Sequence, residues 1–487
     1  MRIKNLVWLL PPAILALVVL PFVQWGGSDD DLFILGVLNG TPYPPVISPS
    51  TGRFLPLADQ EWRAFPGMSE AWMFHGVAII EYCLFCFVLF KSMSMRAVNN
   101  VSVFLFLATL PPVVIAFSMI VAPERNILFL FALWFLFYSI SKKNNDIIFG
   151  VLSLICATAA LFFKEPTFLF FAGFSVIQLW AARPTKGEII SFLKNNWREI
   201  GLVISAIAFI LVYQYYVKLS VIATDHAYQG RNVAIDKIIP AIEEWTLTEP
   251  LILPLLVLGL ALTIVGILRN KESGLELFGI WLGSFFYFAV LSMAELVSKY
   301  YAALPLLGFA IYSCIVLKNL GWLRRLNILF YALAAANTLF WLPVIIRKHD
   351  YAHRSVEVVD KILELFPTTV TDQPIAVLVR DSDGWQAQML IIYSDHIRKA
   401  NIKFYCNAKY DVNFYYDDGV EICPLNAGQM AGRVAVDLYQ SNEEGMSARL
   451  FVDGKEVWRY ISIWESVVPF FLRNLLGSQI YSSPTNP

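Results

Sequence analysis

Charge is what this chain has least of. Only 15% of its 487 residues are Asp, Glu, Lys or Arg, against about 25% in soluble domains. Nor is there a basic stripe, and the net charge is −1, so nucleic acid is excluded as a partner. The chain holds neither a P-loop nor a glycine-rich dinucleotide fingerprint, which removes the usual routes to nucleotide chemistry. It also lacks internal repeats and low-complexity tracts, which counts against transporters built from duplicated halves. Histidine (5) and cysteine (6) are sparse. Cys83, Cys86, Cys156 and Cys314 fall in apolar runs, where cysteine is ordinary packing material. Cys406 and Cys423 fall in the polar tail, and their pairing is expected if that tail is exported.

What the chain has instead is apolar residues, at 57%. That surplus exceeds what a soluble core can hold and points to a membrane body. The charges are unevenly shared: 45 lie in the first 349 residues and 30 in residues 350–487. Runs of about 20 apolar residues match a bilayer core of about 30 Å. Eleven candidates lie near 5–24, 72–90, 99–121, 126–141, 146–163, 166–181, 199–217, 251–268, 275–297, 301–317 and 325–346. The fold expected is an all-α polytopic membrane protein with about eleven transmembrane helices over residues 1–349, followed by an α+β extramembrane domain over 350–487. In the tail, 375–379, 412–416 and 434–439 read as short strands, and 385–397 as a helix. Residues 449–458 read as a hairpin turning on Asp453-Gly454.

Orientation follows from Lys and Arg, which are retained in short cytoplasmic loops. With the N-terminus inside, 15 of the 25 basic residues of the body fall on the inner side, among them Lys91, Arg96, Lys142, Lys143, Arg198 and Lys318. The opposite orientation exports every basic cluster. The first apolar run is long for a signal peptide, and Pro21-Phe22-Val23-Gln24-Trp25 offers no small-x-small cleavage site, so an uncleaved first helix is expected. The protein is thus placed in the cell (inner) membrane, in contact with its lipids, with a cytoplasmic N-terminus and a periplasmic or otherwise extracytoplasmic tail. Residues 25–71 and 218–250 become outer loops.

On this topology four polar clusters share the outer face: Asp29-Asp30-Asp31 after the first span, Pro123-Glu124-Arg125, Lys164-Glu165-Pro166, and Ser298-Lys299-Tyr300-Tyr301. Each, taken singly, also suits an ordinary helix end, with capping acids, snorkelling cations and an aromatic belt. Their conjunction on one face points to a site. Glu81 and Glu295 read as buried structural partners, Asp225 and His226 as loop polarity, and Cys83-x-x-Cys86 as packing.

These motifs, with Gly26-Gly27-Ser28 before the Asp run and Pro305 after the tyrosines, resemble the GT-C superfamily of integral-membrane glycosyltransferases, which use polyprenyl-phosphate sugars. The chain's size is similar to that of the bacterial glucosyltransferases that decorate O-antigen. The resemblance covers about residues 1–346. It implies an inverting enzyme that moves one hexose from a polyprenyl-phosphate-linked donor to a glycan or lipid-linked glycan acceptor, such as lipopolysaccharide O-antigen. Such a reaction needs a carboxylate to take the acceptor hydroxyl's proton. Asp29 or Asp30 is the candidate base, with the third acid, Asp31, leaving the choice open. It also needs cations for the departing lipid phosphate, for which Arg125, Lys164 and Lys299 stand ready. Glu124 and Glu165 would orient those cations or, with the Asp run, hold a divalent metal. Tyr300 and Tyr301 support the site. Open beside this reading are a lipid-linked oligosaccharide polymerase or ligase, a polysaccharide transporter or flippase, and a non-catalytic assembly protein.

Overall fold

The computed structural model describes residues 6–23, most of 47–62, 68–218 and 235–366, and most of 375–380, 390–406 and 434–460. Asp29-Asp30-Asp31, Asp225, His226, Glu295, the expected strand at 412–416, Cys423 and residues 461–487 lie outside the described residues. Helix dominates. The described helices are α1 (Leu10–Val19), α2 (Ala71–Met95), α3 (Val101–Ala108), α4 (Pro111–Ser118), α5 (Pro123–Asn144), α6 (Ile147–Leu161), α7 (Thr167–Ala181) and α8 (Ile189–Asn195). They continue with α9 (Trp197–Lys218), α10 (Ile238–Thr248), α11 (Ile252–Leu268), α12 (Ser273–Met293), α13 (Ala303–Asn319) and α14 (Asn327–Leu365).

The eleven expected runs all fall on these helices, yet eleven full spans is a larger count than the helices themselves support. Among the described residues, five helices are long and apolar enough to cross a membrane, or seven if each of two bent pairs is one span. The physical reasons are local. Pro111 and Pro112 follow Leu110 and deny the backbone N–H groups a continuous helix needs, so α3 and α4 meet at 55°. Pro250 does the same between α10 and α11, which meet at 107°. Four further apolar helices, including α6 and α7, are shorter.

Local signals explain the boundaries of α5 and α6. Pro123 occupies the first turn of α5, Glu124 sits at its positive end and Lys142 and Lys143 at its negative end. Asn145 ends the helix in the left-handed conformation, and Asp146 caps α6 through the amides of Ile148 and Phe149.

The chain divides into two compact units. The first comprises Met1–Ala16, Pro45–Pro66 and Val77–Trp341. Its central helix is α13, buried from Ala303 to Leu317, with α3, α4, α5, α11 and α12 packed around it. Many large apolar side chains of this unit point away from the protein, Ile80, Ile155, Val176, Ile204, Leu211 and Leu339 among them, the reverse of a soluble surface. α7 and α12 approach backbone to backbone. A Cβ on Gly283 would collide with the carbonyl oxygen of Phe170, and one on Gly279 would stand 2.8 Å from that of Phe174. Small residues serve helix contacts in lipid this way, because no hydrophobic drive separates helix from lipid and close van der Waals packing has to supply the attraction.

The second unit comprises Leu17–Pro44, Gly67–Gly76 and Leu342–Pro487. Besides the short antiparallel pair β1 (Ile47–Ser48) and β2 (Arg53–Phe54) of the first unit, the described strands are those of the second unit's core, β3 (Ile375–Arg380), β4 (Ile402–Cys406), β5 (Val434–Ser441), β6 (Gly445–Val452) and β7 (Lys455–Tyr460), which form a five-stranded sheet in the order β4-β3-β5-β6-β7. In this order β3 pairs in parallel with β4 and β5, while β5, β6 and β7 are antiparallel. Val358, Val359 and Ile362, from the second half of α14, join Val377, Val379, Val436 and Leu450 of the sheet in one core. The hairpin expected at 449–458 is present. Asp453 and Gly454 both take positive φ, 50° and 76°, which suits the right-handed twist of the two strands. Of the helix expected at 385–397, the described part is a single π-helical turn at Tyr393–Arg398.

Candidate functional site

Three of the four polar clusters meet within the first unit. Glu124, in the first turn of α5, is buried, and its carboxylate holds the Lys164 ammonium at 2.8 Å. Lys164 belongs to the turn between α6 and α7, and the same ammonium lies 3.8 Å from the centre of the Tyr301 ring. Tyr301 lies in the 3-10 turn Lys299–Ala302 that leads into α13, with its ring 4.5 Å from that of Tyr300. Residues 124, 164 and 301 thus form one chain of carboxylate, cation and aromatic face. In apolar surroundings each link is stronger than it would be in water.

Glu165, next in sequence, accepts the Phe54 amide N–H at 3.1 Å. Leu57 donates its amide to Phe162 O at 3.2 Å, and the Phe54 ring stacks on Tyr216 at 5.3 Å. Residues 54–57 are therefore tied to the α6–α7 turn. Arg125 is fully buried. Its guanidinium pairs with Glu81 at 2.7 Å, donates to the carbonyl oxygens of Met119 and Ile120, and covers the Trp62 ring at 4.8 Å. These contacts brace the entry to α5, and Glu81 serves as the buried partner that its position suggested. Lys299 lies over the Phe340 ring at 5.1 Å.

Two residues join this region that sequence reasoning did not single out. Tyr287 of α12 is fully buried and lies near enough to Glu124, Tyr301 and Glu165 to interact with them electrostatically. Glu249 is fully buried at the α10–α11 bend. A signal for Glu249 was present: Glu249-Pro250 repeats the Glu165-Pro166 pattern at the start of an apolar helix.

A separate polar cluster closes the other end of α5. Glu199, buried, accepts from Tyr138 at 2.6 Å and pairs with Lys142 at 2.7 Å, while Arg198 donates to Ser141 at 2.7 Å. Between Glu124 and Lys142 the helix rises about 27 Å, close to the hydrocarbon thickness of about 30 Å. In the second unit, Tyr460 donates to Asp350 at 2.7 Å, and the rings of His75 and His349 meet edge to face at 5.4 Å.

Among the described residues no three His, Cys, Asp or Glu side chains gather as a metal site. Cys83, Cys86, Cys156 and Cys314 carry free thiols. No family model and no curated protein matches this chain.

Proposed function

We propose that the chain is an inverting membrane hexosyltransferase that moves one sugar from a polyprenyl-phosphate donor to a surface glycan outside the cytoplasm. The observation that carries this reading is the convergence of residues 123–125, 164–166 and 299–301 in one largely buried polar cluster at the ends of apolar helices. A lipid-borne donor explains why such a cluster belongs at the ends of apolar helices: the isoprenoid tail stays among the spans and the phosphate stays at their ends. With the four shorter apolar helices also counted as spans, the total returns to eleven.

In this mechanism Asp29 or Asp30 takes the proton of the acceptor hydroxyl as its oxygen attacks the anomeric carbon. The bond from that carbon to the phosphate oxygen breaks, and Lys164 and Lys299 offset the charge that collects on the departing phosphate. Glu124 and the Tyr301 ring hold the Lys164 ammonium in place, so little reorganisation is needed as charge develops. Arg125, committed to Glu81 and two carbonyls, positions Glu124 beside it and adds positive potential from behind.

The test is to replace Asp29, Asp30 and Asp31 singly by Asn, and Lys164 by Met, and to follow sugar transfer in membranes. At least one Asp variant should lose transfer, and Lys164→Met should chiefly raise the donor KM. Full activity in all three Asp variants would sink the acid-base assignment. A transporter or flippase is the second reading, favoured by the two bent helix pairs, since broken helices line many transport sites. It is separated by the product: the enzyme leaves a new glycosidic bond, whereas the transporter moves an unchanged glycan.

A further inference from the structure

Tyr287 and Thr167 are fully buried hydroxyls at the helix contact that the glycines of α12 create. Gly279 lies against Phe174 and Gly283 against Phe170. The two helices therefore run antiparallel in steps of one turn, and the next step sets Tyr287 beside Pro166 and Thr167. Thr167 opens α7, and its amide N–H donates to Lys164 O at 3.1 Å. Both hydroxyls thus stand next to the ion pair of Lys164 with Glu124.

Buried hydroxyls in this unit commonly find a partner. Tyr82 donates to Ala108 O at 2.7 Å, Tyr138 donates to Glu199 at 2.6 Å, and Tyr312 shares a hydrogen bond with Thr263. Ser92, Ser175, Ser284 and Ser292 turn back to carbonyl oxygens one turn earlier. Tyr287 and Thr167 are neighbours, yet neither hydroxyl meets hydrogen-bond geometry with the other or with any described group. As the first residue of α7, Thr167 has no turn of its own helix to turn back to. Glu124 Oε1 takes Lys164 at 2.8 Å, while Glu124 Oε2 has no hydrogen-bond partner among the described residues. A buried polar atom without a protein partner lowers stability, and in folded proteins it marks a place where a ligand or ordered water completes the pairing.

The chemistry of the three groups selects the ligand. Tyr287 and Thr167 can each donate one hydrogen bond and accept others, whereas a carboxylate such as Glu124 can only accept. A phosphodiester brings acceptors alone and is repelled by that carboxylate. A sugar ring brings hydroxyls that both donate and accept. Resting on the donor reading given above, we propose that Tyr287, Thr167 and the second oxygen of Glu124 form the subsite that binds the hydroxyls of the donor hexose, with the lipid phosphate on the Lys164 side. Glu165, Pro166 and Tyr301 are only half-buried and give the cluster the edge by which the ring enters. Tyr287 and Thr167 are then specificity-determining residues: they read which positions of the ring carry a hydroxyl.

The experiment measures how the full chain in nanodiscs binds two probes, a polyprenyl-phosphate-linked hexose and the same polyprenyl phosphate without the sugar. Tyr287→Phe and Thr167→Val should each weaken binding of the sugar-bearing lipid by about three- to tenfold, the worth of one hydrogen bond, and leave the bare lipid unchanged. Thr167→Ser keeps a hydroxyl and should bind as the unmodified protein does. Because no internal hydrogen bond is lost, Tyr287→Phe should unfold at the same temperature as the unmodified protein or higher. A lowered midpoint, or a variant that fails to fold, would assign the hydroxyl to the fold and overturn the subsite. Unchanged affinity for the sugar-bearing lipid would overturn it too, leaving ordered water as the partner of these hydroxyls, and so would an equal loss for both lipids. In each of these cases the unmodified protein still binds the lipid and the donor reading stands. If the unmodified protein binds neither lipid, the donor reading fails and the subsite fails with it.

Discussion

The arginine and the lysine of the central cluster do different work, although both are buried cations beside an acid. Arg125 spreads its planar donors over Glu81 and two carbonyl oxygens at the entry to α5. A lysine there would keep the charge but not reach all the acceptors at once. Arg125→Ala removes the ion pair to the largely buried Glu81 and the two carbonyl contacts, and should cost about 3–5 kcal/mol, read as a lowered unfolding midpoint in detergent. Adding Glu81→Gln to Arg125→Ala should recover part of that loss, because the acid of the broken pair is then neutral. If the double variant is no more stable than the single, the pair is not what braces α5. Lys164, by contrast, contacts the Glu124 carboxylate and the Tyr301 ring, and its compact ammonium offers a point charge rather than a planar fork.

The helices show how a few residues shape long apolar runs that otherwise look alike. Proline placement decides the two bends, and glycine placement permits the backbone-to-backbone approach of α7 and α12. Gly283→Ala should push those helices apart and destabilise the protein by about 1–3 kcal/mol, the usual cost of overpacking. Gly76→Ala is the matched control. An added Cβ at that helical position meets nothing within 4 Å, so the change should be neutral or slightly stabilising. Thermal unfolding of the two variants side by side distinguishes them, and equal midpoints would show that the backbone approach near Phe170 is not required. The β6–β7 hairpin was legible in advance because Asp-Gly has a strong local preference for positive φ. The 55° and 107° bends were not, since proline marks an interruption without stating its angle.

For the molecule as a whole, orientation is the property on which the lipid-donor argument depends. The positive-inside reading puts the Lys142 end of α5 in the cytoplasm and the tail outside. In a background lacking the six native cysteines, Lys455→Cys should react with a membrane-impermeant maleimide on intact cells. Asn144→Cys, exposed at the end of α5, should react only after permeabilisation. The inverted pattern would put the Glu124–Lys164 cluster on the cytoplasmic side, where nucleotide sugars are at hand and a lipid carrier is not needed.

Composition and spacing alone were enough to mark the long apolar helical runs, the tail strands near 375–379 and 434–439 and the 449–458 hairpin, because hydrophobic burial and turn preferences act over short stretches of chain; the strand at Ile402–Cys406 was missed. They also drew attention to residues 124, 125, 164, 165 and 299–301, since charge beside apolar runs is costly and therefore conspicuous. Whether those motifs touch was beyond them. Glu124 and Lys164 are forty residues apart, and Tyr301 is farther still. The tertiary structure decided that Lys164 rests between Glu124 and Tyr301, that Arg125 pairs with Glu81 and backbone carbonyls, and that Glu249 is buried at a helix bend. Such pairings depend on which helix ends are brought side by side, and in an apolar medium that is settled by packing between distant segments rather than by the local preferences of any one of them.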